Sequence, residues 1–280
     1  MMTAKPLHDD ATDDRQVKPC MVVGLDTSLM ARDTLMLAAR LASTIDAQLK
    51  GIFVEDENLL NLAALPFARE YSLSGVVQDM TPERMLRAMR AQAESTRRVL
   101  ARLASEAHIE WSFDIRRGHP LHQLAQTAQT SDTLVIRSQG LRLRDIGRAV
   151  RAATRDSRAD VLLVARGVNL HPTRPAILTA RPVAAIDEGT SAGESCAAFA
   201  QTIAGRIGAA FIRLSAKGKA PAELADQARN AGVGLLIINA DWLGDDDDAA
   251  RLSTAACCPV LLLGDERIGD PVVMSNKGDS

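Results

Sequence analysis

A short apolar run that ends in an acid, followed by a polar turn and a stretch of helical period, begins twice in this chain. Met21-Val-Val-Gly-Leu-Asp26 leads through Thr27-Ser28 into Leu35, Leu37, Ala38, Leu41 and Ala42. Val183-Ala-Ala-Ile-Asp187 leads through Glu188-Gly-Thr-Ser191 into an Ala-rich stretch from about 193 to 207. Apolar residues recurring every three to four positions line one face of a helix, whereas an unbroken apolar run of this length suits a strand covered on both faces. Parallel strands need a crossover long enough to hold a helix, so the alternation specifies a mainly parallel sheet with helices packed on it.

Five strands are expected over 21–166: 21–26, 49–54, 109–116, 133–136 and 161–164. Glu55-Asp56-Glu57 is expected to end the second, since three charges suit the inside of a parallel sheet poorly. Pro82 opens a long helix to about 106, with Glu83 in its first turn and many Arg on its outer face. Gly118-His-Pro120 reads as a turn into a helix through Gln129, and 143 to about 155 as another helix. Residues 58–78 break the rhythm. Leu59, Leu60, Leu62, Leu65, Phe67 and Tyr71 crowd around Pro66 and suggest a short helix and loop over the sheet edge, or an interface.

The second series is shorter. Ninety-four positions separate Asp26 from Pro120 but only 34 separate Asp187 from Pro221, so a strand, the insert and the long helix are missing. The expected organisation is a complete unit at 20–167 and a truncated one at 180–266, joined through a segment containing Pro172 and Pro175, with flexible tails at 1–19 and 267–280. A lost strand and helix leave an edge or an apolar face to be covered. The first unit is the expected cover, which makes the chain an internal pseudo-dimer; a homodimer of whole chains is a further option.

A net charge of -2 gives no global attraction to nucleic acid or an anionic membrane, and no apolar run approaches the length of a bilayer span. Four cysteines, two of them adjacent at 257 and 258, form neither a disulfide framework nor a CxxC metal site. A cytoplasmic protein with buried thiols is the expectation.

Three segments of the first unit, Val22-Val-Gly-Leu-Asp-Thr-Ser28, Gly51-Ile-Phe-Val-Glu-Asp56 and Arg117-Gly-His-Pro120, together resemble the universal stress protein family. Cys258-Pro-Val-Leu-Leu-Leu263 is similar to that family's final strand, which makes this chain resemble a tandem member. The resemblance implies two doubly wound α/β units of Rossmann-like, adenine nucleotide alpha hydrolase-like type, the second shortened, and a part in stress responses. In members that bind ATP or AMP, residues after the first and second strands contact adenine and ribose, which maps to Asp26, Thr27 and Val54, with Mg²⁺ as the accompanying ion. The phosphates of those members rest on a loop of pattern Gly-x-x-Gly, nine residues, Gly, then Ser or Thr. Here Arg137-Ser-Gln-Gly140 keeps the second glycine alone, and Val150-Arg151 replaces the later pair. A side chain obstructs the close approach of backbone to phosphate, so ordinary phosphate cradling is not expected.

Among single features, Arg144, Arg148, Arg151 and Arg155 fall on one helix face, either a local anion site or a solvated surface. Nothing like a reading helix or aromatic interleaving accompanies them, so nucleic-acid binding is not expected. His119 and His122 have metal-compatible spacing but lack a third ligand. Asp26 and Asp187 serve either as ligand contacts at strand ends or as caps of the following helix. The acids at 245–248 read as a charged helix start. No serine, cysteine or histidine set forms a catalytic constellation. The leading expectation is a regulatory, ligand-sensing protein without catalysis. A nucleotide-binding protein with weak hydrolysis and a partner-binding module using the Leu59 to Tyr71 insert are the alternatives.

Overall fold

A computed structural model describes residues 18–25, 29–71, 77–137, 141–164, 181–244 and 248–264. In the first half, β1 (Cys20–Leu25), β2 (Gln48–Asp56), β5 (Trp111–Gly118), β6 (Thr133–Arg137) and β7 (Asp160–Val164) alternate with α1 (Leu29–Ile45), α3 (Pro82–Glu106), α4 (Pro120–Ala125) and α5 (Leu143–Arg151). Between β2 and α3 lie α2 (Glu57–Ala63) and a hairpin of β3 (Arg69–Tyr71) and β4 (Val77–Asp79). The second half holds β8 (Val183–Asp187), α6 (Ser191–Ile207), β9 (Phe211–Ser215), α7 (Pro221–Asn230), β10 (Leu235–Asn239), α8 (Asp248–Ala256) and β11 (Val260–Leu263).

All the strands outside the hairpin form one nine-stranded sheet in the order β5-β2-β1-β6-β7-β11-β10-β8-β9. Every neighbouring pair is parallel except β7 and β11, which run antiparallel with Leu162 opposite Leu261. That pair joins the halves, each of which is parallel within itself. The strands carry apolar residues on both faces because both are covered. Val22, Ile136, Val161, Leu236 and Val260 face α4, α5, α7 and α8, while Met21, Val23, Leu162, Leu235 and Leu261 face α1, α3 and α6. Burying each such large side chain stabilises the fold by about 1.5–3 kcal/mol.

The halves also meet through their helices. The Arg206 guanidinium of α6 donates to the Thr44 carbonyl of α1 at 2.6 Å, and Arg155 pairs with Asp241 at 3.2 Å. At the rim of the junction, the buried Asp160 carboxylate accepts the Gly264 amide at 3.0 Å. A Cβ at Gly264 would stand 2.8 Å from the Ala159 carbonyl oxygen, so the chain passes there only as glycine.

Several sequence expectations need correction. The truncated half ends in β9, the sheet edge farthest from the first half, so the first half covers β11 and not the truncated edge. The counterpart of β5 is the missing strand, and an edge strand can be lost without interrupting the sheet. Strand β2 does not stop at Val54; it continues through Asp56, because Glu55 lies opposite Arg117 in the parallel register with β5. Arg117 reaches Glu55 at 2.8 Å and Arg90 of α3 reaches it at 3.4 Å, so the carboxylate is buried in paired form. Helix α4 ends at Ala125, short of Gln129, and α5 gives way to a π-helical turn over Ala152–Asp156. Cys196 and Cys258 are buried as expected, but Cys257 is exposed in a left-handed turn with φ 54°.

Candidate functional site

Parallel strands that share one direction bring their carboxyl ends to one rim, and the crevice outside those ends is where open α/β sheets place their ligands. Gly24 and Leu25 of β1, Val54 and Asp56 of β2 and Ile136 and Arg137 of β6 meet there around a cavity of about 280 Å³. Pro120, Leu121 and Leu124 of α4 form one wall, Met89 and Gln92 of α3 another, and Thr34 and Leu59 contribute from α1 and α2. Gly24 lets Leu124 of α4 pack directly on the β1 backbone, since a Cβ there would lie 2.4 Å from Leu124 Cδ1.

Two of the residues expected at a ligand site, Val54 and Arg137, line this cavity. Asp26, Thr27 and Gly140 lie outside the described residues. Sequence reasoning missed Asp56, Met89, Gln92 and Leu121. Met89 and Ala93 are one helical turn apart and pack with Phe53, a spacing that was readable in the sequence; Gln92 carries no comparable signal. Asp56 also caps α2, its carboxylate accepting the Asn58 amide at 2.9 Å, so the cavity wall and the start of the insert share a residue. Along the insert, Leu62 is 51% and Phe67 75% exposed.

Around Val150 and Arg151, where the phosphate-loop pattern asks for glycine and a hydroxyl, Val150 is buried in the core and Arg151 points outward. The cavity wall carries one cation, Arg137, and one anion, Asp56, among the described residues. These residues do not fit the polyphosphate of ATP. Nor do the described residues contain a group of three His, Cys, Asp or Glu able to hold a metal ion.

At the corresponding rim of the second half the charged side chains pair with one another. Asp187 accepts the Gly189 amide at 2.8 Å and Arg213 Nε at 2.9 Å, and Arg213 also pairs with Glu194. The Gly189 amide first, and then Arg213, hold the Asp187 carboxyl below the usual carboxylate range. Asp187 therefore caps a turn, while the cap of α6 is Thr190, whose hydroxyl accepts the Gly193 amide at 3.3 Å. Glu188 accepts Asn239 Nδ2 at 2.9 Å and the Thr190 hydroxyl at 3.0 Å.

The other features resolve locally. Arg144, Arg148, Arg151 and Arg155 do share an exposed face; Arg148 pairs with Asp145 at 2.6 Å and Arg155 with Asp241 across the junction. His119 Nδ1 meets Asn58 Nδ2 at 3.1 Å at the start of α4. Of the acids at 245–248, Asp248 opens α8 and the others lie outside the described residues. No helix among the described residues is long and apolar enough to cross a membrane.

A universal stress protein from Archaeoglobus fulgidus superposes with a TM-score of 0.59 at 12% identity, covering 88% of this chain and 97% of its own. The fold is universal-stress-protein-like. Looser superpositions are found with the cytoplasmic domain of a prokaryotic cation chloride cotransporter (TM-score 0.46, 16% identity, 91% of this chain and 98% of that one) and with a universal stress protein in complex with cAMP (0.29, 19%, 52% and 95%). No protein-family model and no curated protein matches the sequence.

Proposed function

We propose that the chain is a non-catalytic regulatory protein of the universal-stress type, acting in the cytoplasm, that senses a small molecule in the first-half cavity. The observation that carries this reading is the cavity itself, about 280 Å³ at the carboxyl ends of β1, β2 and β6. Its walls are mostly aliphatic, with a few convergent polar groups, which is the usual make-up of a small-molecule site. The rest of the reading follows from the asymmetry between the halves. On this view 20–167 is the ligand-bearing unit, and 180–266 is a degenerate copy whose pocket is closed by Asp187, Arg213 and Glu188. A bound ligand would touch Asp56 and Leu59, and so would bear on the orientation of α2 and its exposed leucines.

Native mass spectrometry of freshly purified protein tests the reading. The expected result is a retained small molecule that is lost in Val54→Trp, a substitution that fills the cavity from a half-buried position. A bare chain mass that stays bare after exposure to a cell extract would count against ligand sensing.

A second reading, a partner-binding module, draws support from the exposed Leu59, Leu62, Leu65 and Phe67 of the insert. Apolar and aromatic side chains at one surface suit the core of an interface. It predicts that Leu62→Ser with Phe67→Ser abolishes association, homodimer or otherwise, while the monomer stays folded. The third option, ATP or AMP with Mg²⁺ and weak hydrolysis, draws on Arg137 at the cavity rim and predicts a stoichiometric adenine nucleotide after purification.

A further inference from the structure

We infer that the first-half cavity takes a compact, largely apolar molecule bearing at most one negative charge, and that it excludes nucleoside di- and triphosphates. This rests on the cavity being a ligand site and adds what that site selects. Three observations carry it. The first is size. The cavity holds about 280 Å³ within its walls, room for a bicyclic ring system.

The second is wall chemistry. Ile52, Leu121, Leu124 and Met89 supply apolar contact, and methionine accommodates ligands of different outline. Among the described residues, Thr34, Asp56, Gln92 and Arg137 supply the polar side chains of the wall. A single carboxylate or phenolate suits the Arg137 guanidinium, whose fork offers several donors and can serve a ligand alongside its contacts within the protein.

The third is charge balance. Among the described residues Asp56 offsets Arg137 in the wall, so each negative charge beyond the first meets no further cation there and is partly shielded from water. The neighbouring cations Arg90 and Arg117 do not change this, because both are turned to Glu55. Where the phosphate-loop pattern asks for its later glycine, Val150 is packed into the core.

Isothermal titration of the full-length protein with four probes decides the matter: 2-naphthoate, 2-naphthol, adenosine and ATP–Mg²⁺. Saturable 2-naphthoate binding is expected, with Kd in the range of about 0.01–1 mM, and ATP–Mg²⁺ is expected to show none. Arg137→Ala should weaken 2-naphthoate about tenfold while changing 2-naphthol less than about twofold, in keeping with one charge-assisted contact. Val54→Trp should abolish both, with Leu121→Trp, also half-buried, as the second cavity-filling variant; circular dichroism confirms that each is folded.

Binding of ATP–Mg²⁺ that disappears in the Trp variants would overturn the proposed ligand class and leave the cavity standing as a ligand site. Stronger binding of adenosine than of 2-naphthoate or 2-naphthol would likewise overturn the apolar preference. Binding of 2-naphthoate that survives both Trp variants would show it lodges elsewhere and overturn the assignment. Absence of binding by all four probes would overturn this inference and, together with a bare native mass, the ligand-sensing function as well.

Discussion

Replacing Asp160 by alanine tests whether the two halves stand or fall as one sheet. Asp160 is 2% exposed, and its carboxylate accepts the buried Gly264 amide at 3.0 Å, tying the end of β11 to the start of β7 at the antiparallel pair where the halves meet. A hydrogen bond to a charged group contributes about 1.5–3 kcal/mol, and an amide left buried without a partner costs about 1–3 kcal/mol. Those terms overlap, and removing a buried carboxylate recovers some desolvation, so the expected net loss is about 2 kcal/mol. For a chain of this size that corresponds to a fall of roughly 4–8 °C in melting temperature. Gly264→Ala should cost about 1–3 kcal/mol by a separate route, because its Cβ would press on the Ala159 carbonyl, backbone that has little freedom to yield. Urea titration followed by both fluorescence and circular dichroism should show one transition for wild type and for both variants, with the midpoint lowered and the slope unchanged. A loss below about 0.5 kcal/mol for Asp160→Ala, the range of ordinary surface changes, would refute the junction argument. A variant that unfolds in two steps would refute the idea that the shared sheet makes the halves one cooperative unit.

The Glu55 cluster should respond asymmetrically: Arg117→Ala removes the 2.8 Å contact to a buried carboxylate and should cost about 1–2 kcal/mol more than Arg90→Ala, which removes a 3.4 Å one; equal losses in urea titration would contradict this. Asp187 has a lowered folded pKa, so its contribution is full above about pH 4 and lost as pH falls through the folded value; Asp187→Asn should flatten the fall of stability on that acid side. Burial raises Asp132 against the opposing Gln129 and Cys20 amides, so its contribution is present below about pH 4 and lost as pH rises through the folded value. Asp132→Asn should remove that loss, and unchanged urea midpoints across both pH windows would refute the two assignments. Burial pushes the Cys196 and Cys258 thiols up to about 12 and Cys20 up to about 11, while Cys257 is exposed. A thiol reagent at pH 8 should therefore label one cysteine quickly in the native protein, and Cys257→Ser should abolish the fast phase.

Much of the core was readable from the sequence because it depends on local period. The runs expected at 21–26, 133–136, 161–164 and 183–187 fall on strands β1, β6, β7 and β8, and Pro82 opened α3 as expected, capped by the Thr81 hydroxyl, which accepts the Arg84 amide. The candidate site was readable only in part. Val54 and Arg137 could be placed at strand ends, but Met89 and Gln92 reach the same cavity from α3, a helix distant in the chain. Glu55 shows the limit most clearly: by local rule its charge ends a strand, yet the register of β2 on β5 sets Arg117 opposite it and the strand continues.

Apolar period and the doubled strand, acid and turn pattern were sufficient to specify strands alternating with helices on a mainly parallel sheet, since each depends on residues within a few positions of one another. Tertiary structure alone decided that the halves share one sheet through an antiparallel β7–β11 pair, that β9 is a free edge of that sheet, and that Asp187 is paired with Arg213. Such outcomes depend on which edges and charges meet between elements separated in the chain, where burial, pairing and desolvation act between partners that no local pattern records.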